Sequence, residues 1–116
     1  MSDVLDEAQL MDRVDGDVEF LEETVAMLDE DSPDLLEQIH AAVSSKNAAA
    51  LVKPAHALKG MVSNFCAPLA EAAARDLEQM GREDRLVEVD ATAERAQRET
   101  DRLRNALHEL IRTKTG

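Results

Sequence analysis

The sequence predicts an all-α fold, an antiparallel four-helix bundle with an additional short N-terminal helix. Three observations carry that prediction. Apolar residues recur three and four apart along most of the chain, and no segment alternates with period two over a useful length. The apolar content is Ala, Leu, Val and Met, with Phe20 and Phe65 as the aromatics and no Trp or Tyr, which suits closely packed helices better than sheets. Four glycines and three prolines punctuate 116 residues, so the turns are few and the elements long. A chain of this length supports one modest core, a single domain over residues 1–116 with its core at about 5–112.

A short first helix is expected over residues 4–15, with Val4, Ala8, Met11 and Val14 on one face and a stop near Gly16. Asp17 caps a longer helix in which Val18, Leu21, Val25 and Leu28 form a stripe that Leu35, Ile39 and Ala42 or Val43 continue. Pro33, one residue after Ser32, predicts a kink or a restart between the two halves. Asn47 caps the next helix, whose buried face is Ala48, Leu51, Ala55, Leu58, Val62 and Phe65, and Pro54 inside it predicts a bend just before His56.

Pro68 opens a fourth helix with Leu69, Ala73, Leu77 and Met80 inward, running to Gly81. The last helix starts near Asp84 and carries Leu86, Val89, Ala93, Ala96, Thr100, Leu103, Leu107 and Leu110 as a sustained seam. Such a seam also serves dimeric coiled coils, but Thr100 and the alanines make a weak zipper and a good close-packed interior. Four amphipathic helices joined by short turns therefore bury their stripes on one another, with the short helix packed on one end.

A formal charge of -12 argues against nucleic acid and anionic membrane as partners, since both are bound largely through Lys and Arg. Cys66 is the lone cysteine, which excludes an internal disulfide and fits a reducing compartment. The Met1 start lacks the basic and apolar regions of a signal peptide, and no apolar run approaches the length of a membrane span, so a cytoplasmic location is expected.

Against that acidic background, no Asp or Glu occurs between Glu37 and Glu71, and three of the four lysines, Lys46, Lys53 and Lys59, fall in the gap. At its centre lies Ala55-His56-Ala57-Leu58-Lys59-Gly60. Leu58 points about 200° away from His56 on a helix, so if Leu58 is buried His56 faces out. Val52 and Gly60 then lie one turn to either side, Ser63 lies two turns on, and Lys53 and Lys59 flank the line.

An exposed imidazole so placed suits phosphoryl acceptance. One ring nitrogen of a neutral histidine carries a lone pair and attacks phosphorus without a separate base. Lys59 helps neutralise arriving phosphate oxygens. Gly60, costly by about 1 kcal/mol within a helix relative to Ala, gives clearance for a partner's loop. Surroundings free of acid complete the logic, because nearby carboxylates repel phosphate.

These residues resemble the signature of histidine-containing phosphotransfer (HPt) domains, which relay phosphoryl groups between receiver-domain aspartates in two-component phosphorelays. The likeness extends to Gly16-Asp17 before the long helix, Pro33 with Leu35-Leu36 inside it, and Leu77-Glu78 followed by Gly81-Arg82, and so spans about residues 5–110. It implies His56 as the phosphorylated residue, Lys59 as the phosphate-stabilising neighbour and Gly60 as the clearance residue. The partner would be a receiver domain of a response regulator or hybrid histidine kinase, docking over Val52, Lys53, Met61 and Ser63. The chain departs from the family pattern at Cys66, where a glycine is usual, and at Pro54.

No ATP-binding or kinase segment is present, so the expectation is a phosphoryl carrier rather than an enzyme, with no cofactor of its own and Mg2+ on the receiver partner. His40 edges the stripe of its helix and His108 lies beside Leu107. Three scattered histidines without spaced carboxylate or cysteine partners make no metal site, and the Glu-x-x-His pairs of ferritin-like bundles are missing. The alternative reading is a non-catalytic helical protein-protein interaction module that uses the same face.

Overall fold

The computed structural model describes residues 4–116. Five helices are found among them, α1 (Glu7–Arg13), α2 (Val18–Ser44), α3 (Ala48–Ser63), α4 (Pro68–Arg82) and α5 (Val89–Thr115), with no strand. Asp6, Asp17 and Asn47 cap α1, α2 and α3 through side-chain oxygens that accept from the backbone N–H three residues on. Pro68 opens α4, where its missing N–H has no intrahelical partner to lose.

The four longer helices close into a ring, α2 on α3, α3 on α4, α4 on α5 and α5 on α2. Their cross-links show antiparallel neighbours. Asp29 of α2 bonds Arg104 and His108 of α5, while His40, further along α2, bonds Gln97, earlier on α5. On the opposite side, His56 and Lys59 of α3 reach Glu78 of α4, and Val52 and Ala48 lie against Gly81. The centre is filled by Leu21, Val25, Leu28 and Ile39 of α2, Leu51, Leu58 and Val62 of α3, Leu77 of α4, and Leu103 and Leu107 of α5. α1 closes one end, where the N–H of Asp6 donates to the Cys66 carbonyl and Arg13 Nη1 donates to the Ser63 carbonyl at 3.0 Å.

The buried stripes of α3 and α5 fall on the expected residues, apart from Leu86, which precedes α5 and is half-buried. Elsewhere the structure corrects the sequence. In α1 the inward residue is Leu10, with Leu5 just before the helix, and Ala8 is exposed. α2 neither stops nor restarts at Pro33. It runs unbroken with Ser32 and Leu36 buried; Ile39, Ala42 and Val43 continue the stripe as expected, while Leu36 takes the inward place expected of Leu35, which is only half-buried. Leu69 is exposed, and the alanines Ala70 and Ala74 join Ala73 and Leu77 in its place. The last helix begins at Val89 rather than near Asp84, because Asp84 and Glu88 both take left-handed backbone angles that end helices.

Pro54 sits inside an uninterrupted α3 with its ring buried. The bond it cannot donate would have gone to the carbonyl of Ala50, an exposed residue in the first turn, where the acceptor is open to solvent. Cys66, at the α3–α4 turn, adopts φ 56°, the left-handed conformation for which glycine is the favoured residue. The turn therefore keeps a glycine-like shape with a cysteine in it.

Candidate functional site

Leu58 is fully buried, and on the other side of α3 His56 stands with 64% of its side chain exposed, as helical geometry requires. Gly60 is exposed beside it, and a Cβ built there meets nothing within 4 Å, so the space it leaves opens to solvent. Lys53 is exposed and Val52, Met61 and Ser63 are half-buried. Val52 leans towards α4, its Cγ2 atom against Gly81, and Ser63 turns its hydroxyl back to donate to the Gly60 carbonyl at 2.8 Å. His56, Gly60, Lys53 and Ser63 thus share one open face, and Val52 lies at its α4 edge.

What the sequence missed is on α4. Glu78, with 7% of its side chain exposed, sits directly under the histidine: its Oε2 lies 2.9 Å from His56 Nδ1. The other oxygen, Oε1, is 2.7 Å from Lys59 Nζ, and Arg82, one turn along α4, donates to Oε2 from Nη2 at 2.7 Å and from Nε at 3.2 Å. The gap in the acids along α3 is therefore not a gap in space. Folding returns a carboxylate to the site, and the expectation of acid-free surroundings is corrected.

That carboxylate reaches the site neutralised. The bonds from Lys59 and from Arg82, with a smaller contribution from His56, outweigh its burial and hold its pKa down at about 2. One negative charge is matched by two positive ones, so the cluster still attracts an incoming anion. Lys59, expected free to meet phosphate, is instead tethered to Glu78 and remains 31% exposed.

An ionised carboxylate can only accept a hydrogen bond. Nδ1 must therefore carry the proton, and in the neutral ring the lone pair falls on Nε2, which has no hydrogen-bond partner among the described residues. Glu78 thus settles both the orientation and the tautomer, and the nitrogen with the free lone pair faces outward. The carboxylate also lies where it can balance the positive charge that the ring acquires if Nε2 forms a bond while Nδ1 keeps its proton.

Two other polar clusters lie elsewhere. Asp29 is shared by Arg104 and His108 on the α2–α5 edge, and the buried Glu99 is held by Arg98 and Arg102. No group of three or more His, Cys, Asp or Glu residues among those described is arranged to hold a metal ion. No helix among them is long and apolar enough to cross a membrane.

A family model, that of the Hpt domain, matches residues 23–113. Among solved structures the chain is similar to histidine-containing phosphotransfer protein B (HptB) from Pseudomonas aeruginosa PAO1. The two share 27% sequence identity over 94% of this chain and 95% of that one, with a TM-score of 0.74. No curated protein matches.

Proposed function

The chain belongs to the Hpt domain family, and on that premise we propose that it is a phosphorelay histidine phosphotransfer protein whose phosphorylated residue is His56. The observation that carries the assignment is the pairing of an outward Nε2 with an Nδ1 locked onto a buried, ionised Glu78. In this reading an aspartyl phosphate on a receiver domain meets the His56 face. Nε2 attacks phosphorus in line, an N–P bond forms, and the acyl phosphate O–P bond breaks with its electrons returning to the receiver's aspartate as a free carboxylate. The ring then carries the phosphoryl group on Nε2 and the proton on Nδ1, and Glu78 balances its charge. A second receiver reverses the steps by offering its own aspartate to the phosphohistidine.

Lys59 and Arg82 have two parts in this scheme. They cancel the charge of Glu78, and their partly exposed ammonium and guanidinium groups face oxygens delivered to Nε2. Gly60 leaves the gap through which the partner's loop reaches the ring, and Val52, Lys53, Met61 and Ser63 frame the contact. Magnesium and the rest of the positioning belong to the receiver, so the chain is a carrier without turnover of its own, working in the cytoplasm. The interaction-module alternative leaves the locked tautomer without a use.

Incubation with a phosphorylated receiver labels the chain, and His56→Gln, exposed and uncrowded, folds but stays unlabelled. Equal labelling of that variant removes His56 from the role.

A further inference from the structure

The cations around His56 are not equally free. Lys59 Nζ lies 2.7 Å from Glu78 Oε1 and Arg82 Nη2 lies 2.7 Å from Oε2, so both are anchored on the α4 side of the imidazole. Lys53 is the third. It is exposed and has no ion-pair or hydrogen-bond partner among the described residues. Its place is set by α3, since it stands three residues before His56, and Cβ atoms so spaced on a helix are about 5–6 Å apart. Side chains on a helix lean towards its N-terminus, so the imidazole covers the turn to which Lys53 belongs.

The two sides of the histidine differ. Counting about 100° per residue, Lys59 and Val52 fall about 60° and 40° to one side of His56, and that side faces Glu78 and Gly81 of α4. Lys53 and Gly60 fall about 60° and 40° to the other side, towards α2. The two nitrogens of an imidazole point to nearly opposite sides of the ring. With Nδ1 at 2.9 Å from Glu78 Oε2, Nε2 is therefore turned away from α4 and towards the side of Lys53 and Gly60. Little else there can meet an anion. α2, which borders that side, has no Lys or Arg anywhere in Val18–Ser44, and its Asp31 lies across from Ala57 and Gly60. Arg13 is engaged with the Ser63 carbonyl at the far end of α3. A phosphoryl group on Nε2 would stand beside an acidic helix, and Lys53 is the ammonium available to it on that side among the described residues.

We propose that Lys53 binds the phosphoryl group on His56 and prolongs the life of the phosphohistidine. Its ammonium takes the oxygens that face away from α4, opposite Lys59 and Arg82, so the group is held from two sides. The inference rests on the phosphotransfer reading and gives Lys53 a part in it that needs no receiver. Loss of the group to water breaks the N–P bond, whose electrons return to Nε2, while a water oxygen bonds phosphorus and releases a proton to solvent. In a loose transition state charge moves from the phosphoryl oxygens towards the leaving nitrogen. A cation held on those oxygens therefore favours the phosphorylated state over the transition state for its loss.

The experiment uses the full chain and its variants Lys53→Gln, Lys53→Arg and Lys46→Gln, each phosphorylated on His56 by phosphoramidate or by a phosphorylated receiver and then separated from the donor. Lys53 is exposed within α3, and glutamine and arginine are good helix formers, so both of its variants keep the fold. The decay of the phosphohistidine 31P signal is followed with no partner present. Expected at low salt is a loss about three- to fivefold faster in Lys53→Gln than in wild type, with the difference shrinking as salt is raised. Lys53→Arg recovers the wild-type lifetime, and Lys46→Gln, which removes the same charge at the α2–α3 turn, matches wild type. Decay of Lys53→Gln at the wild-type rate overturns the inference and leaves the phosphotransfer function standing; slower transfer from a receiver in that variant then makes Lys53 a docking contact alone. Equal acceleration by Lys46→Gln overturns it too, since the effect is then one of net charge. Failure of both donors to label wild-type His56 overturns the underlying function, and the inference with it.

Discussion

Replacing Glu78 by alanine isolates what the buried carboxylate does for the histidine. The substitution removes the acceptor at 2.9 Å from Nδ1, and the ring, 64% exposed, is then free to turn and to carry its proton on either nitrogen. A hydrogen bond to a charged group is worth about 1.5–3 kcal/mol, and exposure of the imidazole brings the figure down to about 1–2 kcal/mol. If that bond is kept in the transition state and lost in the variant, transfer to His56 slows by about 5–30-fold. Some stability goes with the carboxylate, but Lys59 and Arg82, 31% and 60% exposed, can return to water, so the variant stays folded. Glu78→Gln recovers most of the rate, since an amide oxygen accepts the same bond. The assay is single-turnover transfer from a phosphorylated receiver, paired with 15N spectra of the ring to read the tautomer. A wild-type rate in Glu78→Ala, or a proton on Nε2 in the native protein, refutes the reasoning.

Two other outcomes follow from the same geometry. Because the Glu78 pKa is depressed from 4.5 to about 2, its contribution to stability is present in full above the ordinary carboxylate range and disappears as pH falls from 4.5 through about 2. The difference in urea midpoint between wild type and Glu78→Gln should therefore be constant above about pH 5 and shrink below it; a difference that does not move across that window contradicts the assignment. The lowered Glu83 and Glu109 groups are present in both proteins and cancel. The two helical glycines near the site should respond in opposite ways. A Cβ on Gly81 falls 2.8 Å from Val52 Cγ2 and 2.9 Å from the Ala48 carbonyl, so Gly81→Ala destabilises by about 1–3 kcal/mol in urea denaturation. Gly60→Ala meets nothing and stabilises by up to about 1 kcal/mol, yet slows transfer from the receiver. Transfer at the wild-type rate in the latter variant would remove the clearance role.

The parts of the site written within one helix were legible. His56, Lys59 and Gly60 are three and four residues apart, and a single turn of α3 brings them together whatever the rest of the chain does. Glu78 was not, because it stands 22 residues away and its approach depends on the register of α4 against α3. That register is set by close packing at Gly81, which no periodicity encodes. A local signal did exist. Glu78 and Arg82 form an i,i+4 pair beside Leu77 and Gly81, and an acid next to core positions needs a partner. Attention to the acid-free run along α3 pointed away from it. In the scaffold, the stripe of α2 was legible on both sides of Pro33, with Ile39, Ala42 and Val43 inward, and failed only at the turn next to it, where a proline read as a possible new start hides the continuity that buries Leu36 rather than Leu35. Leu69 was assigned inward by its spacing from Ala73 and Leu77, yet Ala70 and Ala74 are the residues buried there.

The histidine takes its aim from a helix other than its own. A peptide cut from α3 would contain His56, Lys59 and Gly60 in order and would still be a poor acceptor, because its imidazole would lack the brace that chooses between the two nitrogens. The same dependence makes the carrier self-checking. A chain whose α4 has come loose keeps its exposed ring but divides the reactive lone pair between the two nitrogens, and a receiver meeting it would find an acceptor slowed as Glu78→Ala is. The rate at which the phosphoryl group is accepted is thus a readout of the α3–α4 seam.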